Sequence, residues 1–131
     1  MKEILLFFKQ CPAFSSVALR EDFLAPTPGS AAIVPDGGET VLKQYASGDM
    51  LGQYNIKLLL RESYTGEAGK LFEMVSEWID EGQADLPVLS GNKTAQYAQV
   101  VEGPRLIKTE VGAGIYEMKF RLVYYRKGVM A

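Results

Sequence analysis

Few residues in this sequence have the types and spacing that could catalyse a reaction. Carboxylates such as Glu62 and Asp49 could act as a general acid and base, and Glu73 and Glu77 lie one helical turn apart, as two metal ligands could. The chain has no histidine, which excludes His-based triads, HExxH zinc sites and histidine general bases. We therefore expect no catalytic activity, no metal and no cofactor, and we interpret Glu73 and Glu77 as a solvated helix face.

The thiol of Cys11 is the remaining candidate nucleophile. It is the only cysteine of the chain, so neither an intrachain disulfide nor a cysteine metal cluster can form. Cys11 stands at the end of a predicted helix, just before Pro12, and a helix C-terminus raises the pKa of a thiol rather than lowering it. We predict that Cys11 is buried and serves packing.

Composition places the chain among soluble single-domain proteins. Its 131 residues fit one domain (1–131), and the hydrophobic fraction of 47% is ordinary for a globular protein. A net charge of −2 gives no reason to expect sequence-specific nucleic acid or an acidic membrane as partner. The apolar run Ile4–Phe8 is too short to span a bilayer and lacks the flanks of a secretion signal. We expect the chain to be made and kept in a reducing cytoplasm.

Two helices are predicted, over 1–11 and over 66–81. The second has the clearer pattern, because its apolar residues recur at the spacings of an amphipathic helix. These residues are Leu71, Val75, Trp78 and Ile79. Thr65 suits the N-cap position and Gly82 suits the C′ position of this helix.

The clearest strands are predicted over 53–61 and 115–126, where apolar and polar residues alternate. Shorter strands are predicted over 17–24, 31–34, 39–46, 95–102 and 105–110, although the period over 39–46 also leaves a helix open. The order of elements is one helix, four strands, one helix and three strands. This order indicates an α+β fold, in which two helices pack on one face of a mainly antiparallel or mixed sheet.

The strand ending in Tyr124 and Tyr125 has two chemically opposite faces. One face is an apolar row made of Tyr116, Met118, Phe120, Leu122 and Tyr124. The other carries Glu117, Lys119 and Arg121, which we call the charged row. Such a strand belongs to a sheet with one packed and one open face. The open face could meet only water, or it could meet another copy of the chain.

Seven short segments follow one another along nearly the whole chain: Tyr45-Ala46-Ser47-Gly48, Gln53-Tyr54, Arg61-Glu62-Ser63-Tyr64, Glu77-Trp78-Ile79, Leu86-Pro87, Lys93-Thr94-Ala95-Gln96 and Arg121-Leu122-Val123-Tyr124-Tyr125. In this order they resemble small proteins from prophages of Gram-positive bacteria, the minor capsid or tail-terminator proteins. Each segment alone is a weak match, and the ordered set carries the resemblance.

The resemblance implies a structural protein of the virion, assembled in the host cytoplasm, that joins the phage tail to the head. Such proteins form a ring, hexameric by analogy, which contacts the tail-tube protein on one side and the connector of the head on the other. The charged row is then predicted to help subunits meet, because opposite charges can pair across the joint. Reversing Lys119 and Arg121 together is expected to weaken assembly and leave the fold intact.

Two other functions remain open from the residues alone. The chain could be a small bacterial ligand-binding or adaptor domain that works as a monomer or dimer. It could also be an enzyme, if two carboxylates such as Glu62 and Asp49 converge in a buried pocket. The Pro- and Gly-rich excursion at 25–38 is expected either to order against a partner or to be a plain surface loop.

Overall fold

The computed structural model describes residues 2–15, 17–63, 68–80 and 85–128. Its helices are α1 (Lys2–Lys9) and α2 (Ala68–Asp80), and a short 3-10 helix, Pro12–Ser15, follows α1. Its strands are β1 (Ala18–Glu21), β2 (Ser30–Pro35), β3 (Thr40–Gln44), β4 (Met50–Ser63), β5 (Lys93–Glu110) and β6 (Ala113–Arg126). The described strands form one mixed sheet with two helices beside it, which confirms the α+β fold class.

The two longest apolar-patterned strands form the middle of the sheet. The strand order is β1-β2-β4-β6-β5, with β1 and β2 parallel and the other described pairs antiparallel. β3 pairs with Met50–Gln53 of β4, and β2 pairs with Ile56–Arg61 on the same edge of β4. β6 is paired along its whole length on both sides, so its two faces are the main surfaces of the sheet.

The core lies between the helices and the apolar face of β4 and β6. Ile56 is paired with Phe120 across these strands, and both side chains are buried. The Phe8 ring of α1 lies 5.2 Å from the Phe120 ring and 6.3 Å from the Trp78 ring of α2. Both helices are therefore tied to one face of the sheet through aromatic side chains in edge-to-face and tilted contacts. Trp78 and Leu71, which belong to the apolar stripe of the predicted helix 66–81, are both buried in this core.

The break predicted between the strands 95–102 and 105–110 is wrong. Both segments belong to the single strand β5, although Gly103 and Pro104 lie inside it. The register of β5 against β6 shifts at four places, one of them between Glu102 and Arg105. Because β5 is an edge strand, a bulge can accommodate the proline without losing a bond to a second neighbour.

Other expectations about single residues have mixed outcomes. Cys11 is buried, as predicted, and its burial raises the pKa of the thiol. The proposed caps of α2, Thr65 and Gly82, lie outside the described residues, as does Tyr64. The segment 39–46 contains strand β3 rather than a helix.

The excursion at 25–38 has a defined conformation within the subunit, so the expectation that it orders only against a partner is wrong. Its middle forms β2, which pairs with β4. The Arg61 guanidinium donates a hydrogen bond to the carbonyl of Ala25, and the Ser30 hydroxyl donates one to the carbonyl of Thr27 at 2.8 Å. At the other end, the amide of Asp36 donates to the carbonyl of Asn55 at 2.8 Å.

Candidate functional site

The charged row lies on the sheet face opposite to the helices, where one of its cations faces a cation on β4. Lys119 is directly opposite Lys57, an arrangement that is unfavourable for two cations. The carboxylate of Asp36 lies between them, with its oxygens 3.5 Å from Lys57 Nζ and 3.8 Å from Lys119 Nζ. Asp36 belongs to the turn after β2, so this turn is held over the sheet by the two lysines. Asp36 lies in the excursion at 25–38, and sequence reasoning missed this role.

Glu117 is not on an open surface, contrary to the expectation for the charged row. Only 5% of the residue is exposed. An isolated carboxylate at such burial would be costly, and Glu117 is accordingly paired twice. Arg105 donates a hydrogen bond to Glu117 Oε1 at 3.1 Å, and Lys57 Nζ lies 3.8 Å from Oε2. Glu117 therefore connects the edge strand β5 to the centre of the sheet.

The other two members of the charged row also have partners within the subunit. Lys119 Nζ lies 3.8 Å from a carboxylate oxygen of Glu102 on β5. Arg121 donates hydrogen bonds to Gln99 Oε1 at 2.8 Å and to Gln53 Oε1 at 3.2 Å. Thus the structure brings Glu117, Lys119 and Arg121 together and satisfies each of them internally. A contact of this row with another subunit remains a prediction.

These intrachain partners change the expected result of reversing Lys119 and Arg121. Lys119→Glu would place a third carboxylate beside Asp36 and Glu102, and Arg121→Glu would remove two hydrogen bonds. We expect the double variant to lose about 1–2 kcal/mol of unfolding free energy, because the pairs are partly solvated. Thermal unfolding followed by circular dichroism measures this loss. The neutral variant Lys119→Gln with Arg121→Gln should lie between it and the wild type. Equal melting of all three proteins would contradict the expectation.

The carboxylates considered for acid–base chemistry do not converge. Asp49 immediately precedes β4 and Glu62 lies near its other end, roughly 40 Å away at the rise of an extended strand. Asp49 accepts hydrogen bonds from the Tyr125 hydroxyl and, at 2.6 Å, from the amide of Gly128, and these bonds lower the pKa of Asp49. Glu62 Oε1 accepts a hydrogen bond from the amide of Ser63 at 3.0 Å. Asp49 thus holds the C-terminal segment, and the two carboxylates cannot serve one substrate.

Lys93 is a partly buried cation that lies among aromatic and acidic side chains. Its ammonium donates hydrogen bonds to the Tyr54 hydroxyl at 2.6 Å and to Glu39 Oε1 at 2.9 Å, and lies 5.0 Å from the centre of the Tyr124 ring. Burial disfavours the charged form, but these hydrogen bonds outweigh it and raise the pKa of Lys93. Lys93 therefore stays protonated and is unsuited to act as a nucleophile.

The described residues also contain no candidate group of metal ligands. No group of three or more histidine, cysteine, aspartate or glutamate side chains within 2–15, 17–63, 68–80 and 85–128 could hold a metal ion. Glu73 and Glu77, considered as ligands from their spacing, both lie on the exposed side of α2.

The distal half of β5 is exposed on both of its faces, which sequence reasoning missed. Every residue from 101 to 109 is exposed, and the apolar side chains among them include Val101, Leu106 and Ile107, with exposed fractions of 54%, 47% and 44%. Val111, in the following turn, is fully exposed. We call these four apolar residues the β5 surface. The adjacent Leu106 and Ile107 interrupt the alternation of a half-buried strand, and this was the available signal.

A second exposed apolar group lies on the opposite edge of the sheet. All residues of β3 are exposed, and Val41, Leu42 and Tyr45 have exposed fractions of 55%, 40% and 37%. We call these three residues the β3 surface. Exposed apolar groups of this kind mark interaction sites more often than isolated surface residues do.

None of the described helices is long and apolar enough to cross a membrane. No protein-family model matches the chain, and no curated protein matches it. Its function is therefore inferred from the residues and from their arrangement.

Proposed function

We propose that this chain is a structural phage protein that closes the end of the tail tube and joins it to the connector of the head. It acts without catalysis, as a ring of identical subunits that is hexameric by analogy with tail terminators. The ordered set of segments that resembles the prophage tail-terminator proteins suggests this role.

The observation that carries the proposal is the exposure of the distal half of β5. A strand with one packed face normally exposes alternate residues, whereas here nine consecutive residues are exposed and several of them are apolar. This exposure is accounted for if neighbouring subunits cover β5 in an assembly. The β3 surface provides a second, different patch, as a subunit of a ring requires.

The alternative is a small bacterial ligand-binding or adaptor domain that works as a monomer or dimer. A cavity beside Lys93 is the relevant observation, with Pro87, Val88, Leu89, Thr94 and Ala95 completing its lining. Its volume of about 230 Å³ is below the ~300–1,000 Å³ of typical ligand pockets. This cavity gives the alternative little support, and the exposure of β5 favours the structural role.

The experiment combines the mass of the purified protein with its effect on tail tubes. We expect multi-angle light scattering to give a mass several times the subunit mass of 14.5 kDa, and electron microscopy to show closed rings. Tubes assembled from the tail-tube protein of the same genome should carry one ring at one end and stop growing. A protein that stays monomeric or dimeric and leaves tube length unchanged would overturn the proposal.

A further inference from the structure

The β5 side of the subunit combines exposed apolar residues with a mainly acidic helix face. The exposed cations of this side are Lys70 on α2 and Arg105 and Lys108 on β5. Helix α2 packs against β5, and its outer face carries the exposed carboxylates of Glu73, Glu77 and Asp80. None of these carboxylates forms an ion pair within the described part of the chain. Met74, on the same outer face, is 39% exposed. This side is therefore apolar along the strand and acidic along the helix.

The β3 side combines exposed apolar residues with positive charge. Lys43, Arg126 and Lys127 are exposed. The Lys43 ammonium lies 5.2 Å from the centre of the Tyr45 ring, within the β3 surface. Arg126 ends β6 opposite Met50, which in turn pairs with Gln44 of β3, so the three cations belong to one corner of the sheet. The Asp49 carboxylate, which binds the Tyr125 hydroxyl and the Gly128 amide, interacts electrostatically with Lys127, and the three cations outnumber it.

These two sides face in opposite directions across the sheet. β3 borders β4 on the edge away from β6, and β5 lies beyond β6 on the other edge. Two unlike patches on opposite sides suit a heterologous contact, which repeats from one copy to the next. The acidic helix face of one copy and the basic corner of the next are complementary in charge. Two acidic helix faces, or two basic corners, would repel each other.

The register of β5 indicates how such copies meet. Four register shifts and Pro104 interrupt the outer edge of this strand. Bulges and proline on an edge strand prevent continuous pairing with a strand from another chain. Side chains, rather than added backbone hydrogen bonds, must then form the contact.

We propose that copies of this chain associate head to tail, with the β5 surface and the acidic face of α2 of one copy seated on the β3 surface and basic corner of the next. This inference rests on the proposed function for the expectation that the copies form an assembly. It identifies the two surfaces that make the repeated contact. The charged row, which is satisfied within the subunit, lies outside this contact.

The test is a charge exchange between the two sides. One variant, Glu73→Lys with Glu77→Lys, makes the helix face basic; the other, Lys43→Glu with Arg126→Glu, makes the corner acidic. Each variant alone should associate roughly tenfold or more weakly than the wild type, because attraction becomes repulsion at several charge pairs. An equimolar mixture should recover the wild-type mass by light scattering, because every contact between unlike variants again joins opposite charges.

The matched control is Lys2→Glu with Lys9→Glu, which reverses two exposed lysines on α1 and should leave assembly unchanged. Circular dichroism checks that every variant is folded. Variants that assemble like the wild type, a mixture that does not recover, or a monomeric wild type would each overturn the inference. Rings that persist in both charge-exchange variants would overturn this inference without contradicting the proposed function. Open filaments that respond to charge exchange would support the inference and refute the ring.

Discussion

Replacing Trp78 with alanine is expected to lower the free energy of unfolding by about 3–5 kcal/mol, a large part of the ~5–15 kcal/mol that stabilises a typical domain. Trp78 is 7% exposed, and its ring lies 5.0 Å from the Phe7 ring and 6.3 Å from the Phe8 ring of α1. The indole therefore fills the space between α1 and α2. Its removal would leave a cavity that the Phe7 and Phe8 rings cannot fill.

Thermal unfolding followed by circular dichroism measures this effect, and a fall in Tm of more than roughly 10 °C corresponds to the lower end of the range. Met74→Ala is the matched control, because this residue lies on the same helix with 39% exposure and should change stability by less than about 1 kcal/mol. Similar melting temperatures for both variants would show that Trp78 contributes little to the core.

Replacing Gly52 with alanine is expected to cost about 1–3 kcal/mol, although glycine normally weakens a strand. A Cβ added at Gly52 would lie 2.7 Å from the Tyr124 hydroxyl oxygen and 2.8 Å from its Cζ. Tyr124 is fully buried, and its ring is tilted against the Tyr54 ring at 4.9 Å between centroids. Because the group that the new methyl meets is a buried ring, either that ring or strand β4 must shift.

The control for this prediction is Gly38→Ala, since an added Cβ at Gly38 meets nothing within 4 Å. This variant should melt within about 2 °C of the wild type. Adding Tyr124→Phe to Gly52→Ala should recover only part of the loss, because Cζ remains close to the new methyl group. A stabilised Gly52→Ala protein would mean that Tyr124 can move, and would contradict the packing described here.

If the Trp78 variant behaves as expected, it also separates stability from assembly. Trp78 is buried and belongs to neither the β5 surface nor the β3 surface, whereas Gly52 is paired with Val41 of the β3 surface. The Trp78→Ala protein that remains folded should therefore associate as the wild type does. Loss of association in the charge-exchange variants, with unchanged melting, could then be assigned to the surface itself.

The elements with a local signal are predictable from the sequence. The recurrence of Leu71, Val75 and Trp78 predicts helix α2, and the alternation of apolar and polar residues, broken at Leu59, predicts β4 and β6. These patterns are local because side-chain direction in a helix or strand depends only on position along that element. The apolar faces and the α+β class follow from them, and so does the placement of both helices on one side of the sheet.

Which polar groups meet is not predictable from the sequence, because it depends on how distant strands pair. Nothing near Glu117 in the sequence shows that it is buried between Arg105 and Lys57, or that Asp36 bridges Lys57 and Lys119. These partners lie on different strands, and their proximity depends on strand order and on the shifted register of β5. The same holds for the exposed half of β5. Its residues alone did not reveal that the helices leave it uncovered, because coverage depends on where distant segments pack.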